Sequence, residues 1–331
     1  MSDIKLVGEP AEGNRPRDRP RAPRRHLLTV SDLGRDDVAR VLGTARTLSR
    51  SLEREVKKLP ALRGRLVVNL FYEASTRTLS SFDLAAKRLS ADTMALRSSG
   101  SSVDKGESLK DTALTLAAYD PDVIVIRHPR IGAPQLVAEV TGAHVVNAGD
   151  GKHQHPTQAL LDLYTIEDTL GQLEGVHVAI VGDVLHSRVA RSLIEALHLV
   201  GARTTLVGPP TLMPRGIGEL GCETTSEIAA VGAADVVYVL RMQQERMLPG
   251  AAYIPSLREY TACWGITPER VRRGQVVMHP GPINRGVEID PRVADSGAAL
   301  IVEQVRAGLV VRMAVLYDLL TSGPALALEV A

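Results

Sequence analysis

Aromatic residues make up only 3% of this 331-residue chain, so aliphatic side chains must form most of its core. Cysteine is nearly absent. Cys222 and Cys263 are too few for a disulfide framework, and neither has a second Cys or a His at zinc-ligand spacing. No run approaches the roughly 18 consecutive apolar residues of a membrane span, and the first residues lack the apolar stretch of a secretory signal. The expectation is a cytoplasmic protein that does not engage a membrane. Excess charge of either sign is also missing: the formal net charge of +1 gives no general attraction to nucleic acid, so any anion binding must be local.

What is present fits a globular chain, with 44% hydrophobic and 23% charged residues. A chain this long tends to divide its core, so two domains are expected. Residues 13–25 (GNRPRDRPRAPRR) are rich in Arg and Pro and nearly devoid of apolar side chains, too few to bury a core of their own. We read residues 1–25 as a disordered basic arm. It is either a solvated tail or a docking segment, and its prolines exclude the amphipathic helix of a mitochondrial presequence.

Short apolar, β-branched runs at 66–71, 123–126, 176–181, 204–207, 236–240 and 276–278 alternate with segments of helical spacing. Such continuous apolar strands predict an α/β protein with parallel sheets covered by helices on both faces. Leu79, Phe82, Ala85, Ala86 and Leu89 form the apolar face of one helix, opposite Asp83, Lys87 and Arg88. In HPTQALLDLYTIEDTLGQL (155–173), Pro156 opens a helix that stops near Gly171, and this helix is the expected hinge region. A final helix from about Ala298 to Leu320 is long enough to return across both halves. The expected units are 26–165, 166–305 and a returning helix at 306–331.

The strongest chemical signal is FYEASTRTLSSF (71–82), where a buried strand runs into a Ser-Thr-Arg-Thr turn and a helix. Unpaired N–H groups, hydroxyls and a guanidinium at a helix N-terminus form a phosphate cradle, so Ser75, Thr76, Arg77 and Thr78 are predicted phosphate ligands. A plain Ser N-cap with incidental neighbours is the bland alternative. The turn lacks the GxxxxGK[ST] pattern of a nucleoside triphosphate site. The strand-to-helix switch at 178–192 holds only Gly182 where a dinucleotide fingerprint needs three glycines. Arg127 ends a strand, where open parallel sheets bind ligands, although a lone Arg at a strand end is more often a surface ion-pair partner. His153 and His155 suggest a metal, yet no third ligand accompanies them; no metal or cofactor is called for, and a neutral His155 donating to a carbonyl oxygen is the better use.

Taken together, STRT, GSSVDKGESLKDT (100–112), RHP, HPTQALLD, RMQQER (241–246) and HPGPINRG (279–286) occur in the order seen in transcarbamoylases. The chain resembles that family from about Arg25 to Leu320. HPGP looks like the aspartate branch, whereas the ornithine branch resembles HCLP; here the second position is Pro280. The resemblance implies transfer of a carbamoyl group from carbamoyl phosphate to L-aspartate, the committed step of pyrimidine biosynthesis. It implies that Ser75 to Thr78, Ser101, Arg127, His155, Gln158, Gly281 and Pro282 hold carbamoyl phosphate, and that Lys105, Arg188, Arg241 and Gln243 hold aspartate. Arg77, Thr78, Lys105, Arg127 and His155 would be catalytic, and Glu73 would pair with Arg188 and Arg246 to lock two domains closed.

In the family, the loop matching Ser101 and Lys105 reaches into a neighbouring subunit, so a homotrimer with shared sites is implied. Docking to a regulatory or dihydroorotase-like chain stays open, as do an ornithine-type acceptor and a scaffold that lost its chemistry. One departure is Leu79, where relatives often carry Arg after STRT; its place on the apolar face leaves the phosphate ligands intact.

Overall fold

The computed structural model describes residues 25–97, 106–247 and 253–321. Residues 1–24 of the expected arm, together with Ser101 and Lys105, lie outside the described residues. Arg25, the last residue of that segment, ion-pairs with Asp37 and Asp318, both at 3.4 Å.

The first sheet is parallel, in the order β2-β1-β3-β4, from β1 (Leu66–Phe71), β2 (Asp92–Arg97), β3 (Val123–His128) and β4 (His144–Asp150). The second, in the order β7-β6-β5-β8-β9, is also parallel: β5 (His177–Val181), β6 (Arg203–Val207), β7 (Glu223–Thr225), β8 (Val236–Val239) and β9 (Val276–Met278). The central strands β1, β3, β5 and β8 are buried along nearly their whole length, as helices on both faces require. Edge strand β2 mixes exposed and half-buried residues, and β7 has three residues, so neither shows a continuous apolar run.

Between the strands lie α1 (Arg35–Ser51), α2 (Thr76–Arg88), α3 (Leu109–Ala117), α4 (Ala133–Val140), α5 (Pro156–Leu170), α6 (Arg188–Leu199), α7 (Leu257–Trp264), α8 (Pro291–Ala294) and α9 (Ile301–Leu320). Helix α5 begins at Pro156, whose missing N–H has no intrahelical role to lose, and ends at Gly171, where φ is +79°. Eleven of its 15 residues are buried, because α6 covers one side and α9 another. The returning helix α9 begins at Ile301, spans about 30 Å and packs on α1, α2 and α5.

One mainly aliphatic core therefore runs through both halves: Leu42, Phe82, Leu163, Ile180, Leu193 and Met313 belong to the same cluster. Each sheet keeps a second, smaller core on its far face. Leu79 is 8% exposed and lies in the shared core, on the apolar side of α2. Because α5 and α9 touch both halves, the carboxyl ends of the two sheets are held facing one another.

Candidate active site

Every loop that matters leaves the carboxyl end of a strand, the position where open parallel sheets gather ligands. After β1, Tyr72 to Ala74 lead to Ser75, the N-cap of α2. The Ser75 side chain makes no cap hydrogen bond, and the hydroxyls of Ser75 and Thr76 have no partner among the described residues. The first N–H groups of α2 have no intrahelical acceptor; Leu79 N, donating to Ser75 O at 3.0 Å, is the first that does. Thr78 is buried beneath them. Free donors and the positive end of the helix dipole thus point the same way, toward an anion.

Arg77 stands over the loop that follows β9. A Cβ built on Gly281 would lie 2.6 Å from Arg77 Nη1, so the guanidinium rests directly on that glycine's backbone. Gly281 has φ +60°, is joined to Pro282 by a cis peptide, and donates its N–H to His279 Nδ1 at 2.8 Å. Among the described residues Arg77 has no ion-pair partner, and burial followed by the Arg241 cation pushes its guanidinium down from the usual range.

Arg127 is aimed by a break in the sheet: the register of β3 against β4 shifts between Ile126 and His128, with Arg127 at the irregularity. Its Nη1 donates to Ala148 O at 3.4 Å, and its Nε lies 3.3 Å from Glu73 Oε2. Burial and the neighbouring Arg188 cation push Arg127 down to about 9, against the pull of Glu73. Arg246, in the short turn after β8, is pushed to about 10 by burial and Arg188. A site that weakens its own cations in this way gains when an anion enters it.

Glu73 is the hub of this cluster. Its carboxylate pairs closely with Arg188, the first residue of α6, and lies 3.8 Å from Arg246 Nη2. The expected Glu73 contacts to Arg188 and Arg246 are thus present, and Arg127 joins them. Arg246 also donates to the carbonyls of His186 (3.1 Å) and Gly151 (3.3 Å), a second link between the two halves. The Arg188 side chain is 3% exposed, and its Nη1 has no partner among the described residues. Gly149, with φ +118°, lies so close that a Cβ there would meet the Arg188 guanidinium at 3.1 Å. Arg241 leaves β8 on the same side and pairs with Glu245. The side chain of Gln243 makes no hydrogen bond to these groups among the described residues; its backbone N–H donates to Asp183 Oδ2 at 3.3 Å.

His155 caps α5 and is 3% exposed. Its N–H donates to Ser192 Oγ at 2.7 Å, which in turn donates to Gln154 Oε1 at 2.7 Å, so α6 fixes the start of α5. Burial, then Arg127, Arg312 and Arg188, hold the imidazole well below its usual pKa, so it is neutral at pH 7. Its Nδ1 has no partner among the described residues. Gln158, one turn on, gives its side-chain nitrogen to Asp162 Oδ1 at 3.1 Å. No group of three His, Cys, Asp or Glu side chains among the described residues could hold a metal ion.

Sequence reasoning missed three features. Gly149 was visible only as one glycine of a loop, since its positive φ and the Arg188 approach are tertiary. Asp162 reads as an ordinary polar position on α5, yet it is fully buried, with burial pushing its carboxyl up to about 7. Arg312, buried on α9 with its guanidinium 5.2 Å from the centre of the Phe82 ring, is a cation behind His155 that its own motif does not announce.

Two parallel sheets whose carboxyl ends meet over five arginines and two carboxylates make this an α/β protein built to hold small anions in a crevice. Residues 25–168 match the family model described as the carbamoyl-P binding domain of aspartate/ornithine carbamoyltransferase, and residues 174–319 match the Asp/Orn binding domain. The chain belongs to the aspartate/ornithine carbamoyltransferase family. It is 56% identical to the aspartate carbamoyltransferase catalytic subunit of Acidothermus cellulolyticus, over 92% of this chain and 95% of that one. It is likewise 56% identical to that of Salinispora arenicola, covering 89% and 98%. Among solved structures it is similar to Trypanosoma cruzi aspartate transcarbamoylase in complex with carbamoyl phosphate and aspartate, with TM-score 0.81, 32% identity and coverage of 89% and 97%. The catalytic subunit of the M. jannaschii enzyme gives TM-score 0.78 and 37% identity, with the same coverage.

Proposed function

We propose that this chain is an aspartate carbamoyltransferase catalytic polypeptide, which joins carbamoyl phosphate and L-aspartate to give N-carbamoyl-L-aspartate and phosphate for pyrimidine biosynthesis. The observation that carries this reading is the meeting of two cation sets from opposite sheets: Arg77 and Arg127 on one, Arg188, Arg241 and Arg246 on the other, with Glu73 between them. Two anionic substrates repel one another, and fixed cations in a water-poor cleft offset that cost.

In this reading, residues 26–165 bind carbamoyl phosphate and 166–305 bind aspartate. The phosphate rests on the N–H groups and hydroxyls of Ser75 to Thr78 and on Arg77, with Gly281 and Pro282 supplying backbone at its far side. Arg188 and Arg241 pair with the aspartate carboxylates and aim the amine at the carbonyl carbon, with Gln243 alongside. Holding reactants in this way is worth roughly 7 to 11 kcal/mol. As the C–N bond forms, charge grows on the carbonyl oxygen, where Thr78, Arg127 and neutral His155 donate; one such donor is typically worth about 3 to 4 kcal/mol. The bond from carbon to the phosphate oxygen then breaks, and the departing phosphate takes the amine proton.

We assign the remaining features to assembly. Ser101 and Lys105 would enter a neighbour's site in a homotrimer, so native mass in multiples of three chains is expected. The unpaired Cys222 and Cys263 suit a reducing cytoplasm, and no described helix is long and apolar enough to cross a membrane. The test of the reaction is product identity. Purified full chain given labelled carbamoyl phosphate should consume L-aspartate and yield N-carbamoyl-L-aspartate; no product, or preferential use of L-ornithine, would refute the proposal.

A further inference from the structure

Behind the crevice lies a carboxylate that the reaction above does not use. Asp162 is four residues beyond Gln158, on the same face of α5, and is fully buried. It accepts from three elements: Gln158 Nε2 on α5 (3.1 Å to Oδ1), Gln304 Nε2 on α9 (2.8 Å to Oδ1) and the Tyr238 hydroxyl on β8 (2.7 Å to Oδ2). The direction of these bonds is determined from one end. The backbone N–H of His279 can only donate, and it donates to Gln304 Oε1 at 2.9 Å. Gln304 must therefore turn its nitrogen to Asp162. With Gln304 donating to one oxygen and Tyr238 to the other, the ionised carboxylate is an acceptor on both sides, and Gln158 must then also offer it nitrogen. Gln158 Oε1 is left without a partner among the described residues, one turn from His155.

We propose that Asp162 is a positioning residue that sets acyl-group specificity: by holding the Gln158 amide nitrogen, it presents Gln158 Oε1 as a fixed acceptor to the amino group of the carbamoyl moiety. The inference rests on the function proposed above. Carbamoyl and acetyl groups have nearly the same shape, and they differ in that one offers N–H donors where the other offers a methyl group. An apolar pocket separates such isosteres poorly, whereas a site that must satisfy a polar group rejects the analogue that cannot. An amide free to turn over would lose that discrimination, since it could present nitrogen as readily as oxygen. Tethers from α5, β8 and α9 remove that freedom.

The test is Asp162→Asn, which supplies a nitrogen that can face Gln158 Oε1 and so lets the amide reverse. Two quantities are read on the full chain at about pH 8.5, where the Asp162 carboxyl, pushed up to about 7 by burial, is ionised. They are kcat/KM for carbamoyl phosphate and the inhibition constant of acetyl phosphate as its competitor. The first should fall at least about tenfold and the second should change by less than about twofold, so that their ratio collapses. Parallel weakening of both ligands, as general damage to the fold would produce, overturns the inference, and so does an unchanged ratio. Tyr238→Phe releases Oδ2 and removes a hydroxyl that also lies against the Gln158 and Gln304 amides, and should move the ratio the same way by about two- to threefold; should Asp162→Asn not fold, this variant decides alone, and an unmoved ratio rejects the idea. A wild-type chain that binds acetyl phosphate by calorimetry yet forms no carbamoyl-aspartate would instead sink the proposed function.

Discussion

Replacing Gly149 by Ala should damage the use of aspartate far more than the use of carbamoyl phosphate. The residue has φ +118°, a conformation that costs an L-residue about 1 to 3 kcal/mol. The added Cβ would stand 3.1 Å from Cζ, Nε and Nη1 of Arg188, while ordinary contact begins at 3.4 Å, so the guanidinium must retreat by about 0.3 Å. Arg188 is buried and tied to Glu73, which makes even that displacement a change in the aim of the site. If a misplacement of about 1 Å costs roughly 10²-fold, a third of it costs about fivefold. Steady-state kinetics should therefore show kcat/KM for aspartate down by about fivefold, carbamoyl phosphate affinity within about twofold of wild type, and a melting temperature lower by several degrees. A folded Gly149→Ala enzyme with unaltered aspartate kinetics would refute the assignment of Arg188 to aspartate.

Arg77→Ala should lower turnover by at least on the order of 10²-fold while the melting temperature stays close to wild type, because Arg77 has no ion-pair partner among the described residues to strand; near-normal turnover in the purified assembly would count against the phosphate cradle. His155 gives a pH signature. Its folded pKa is depressed, so the unfolded chain takes up a proton first as pH falls through about 6.5, and the stability this group contributes is present above that pH and lost below it. Between about pH 6.5 and 5.5, thermal or urea unfolding should show a flatter loss of stability in His155→Gln, by up to about 1.4 kcal/mol per pH unit; identical slopes would mean that His155 is not held neutral. On α1, Gly43 is a helix-interior glycine with no atom within 4 Å of an added Cβ, so Gly43→Ala should raise stability by up to about 1 kcal/mol in denaturant titration, and a loss would contradict the open space there.

Features encoded by local chemistry were legible in the sequence, and features created by distant approach were not. Pro156 and Gly171 bracket α5 because each acts on its own turn, and the apolar runs at β1, β3, β5 and β8 reflect burial on both faces. β2 escaped because its six residues mix exposed and half-buried positions and form no continuous apolar run. The start of the last helix was expected three residues early, at Ala298, whereas α9 begins at Ile301 after Val277 and Leu300 pair across the chain. In the site, the STRT turn announced itself through a strand running straight into hydroxyls and a guanidinium. Nothing local marked Glu73 as a partner of Arg127, which is 54 residues away, nor Asp162 as the acceptor of three side chains. Those depend on how β1 sits beside β3, and on α9 returning over α5.

The account stands on a shared crevice in which one lobe grips phosphate and the other grips two carboxylates. A crystal structure of the full chain with phosphonoacetyl-L-aspartate, which joins both anions in one molecule, tests this most directly. The phosphonate should accept from the N–H groups at the start of α2 and from Arg77, and the carboxylates should face Arg188 and Arg241. A mimic bound elsewhere, or bound with the α2 terminus empty and those two arginines turned to solvent, would contradict the account.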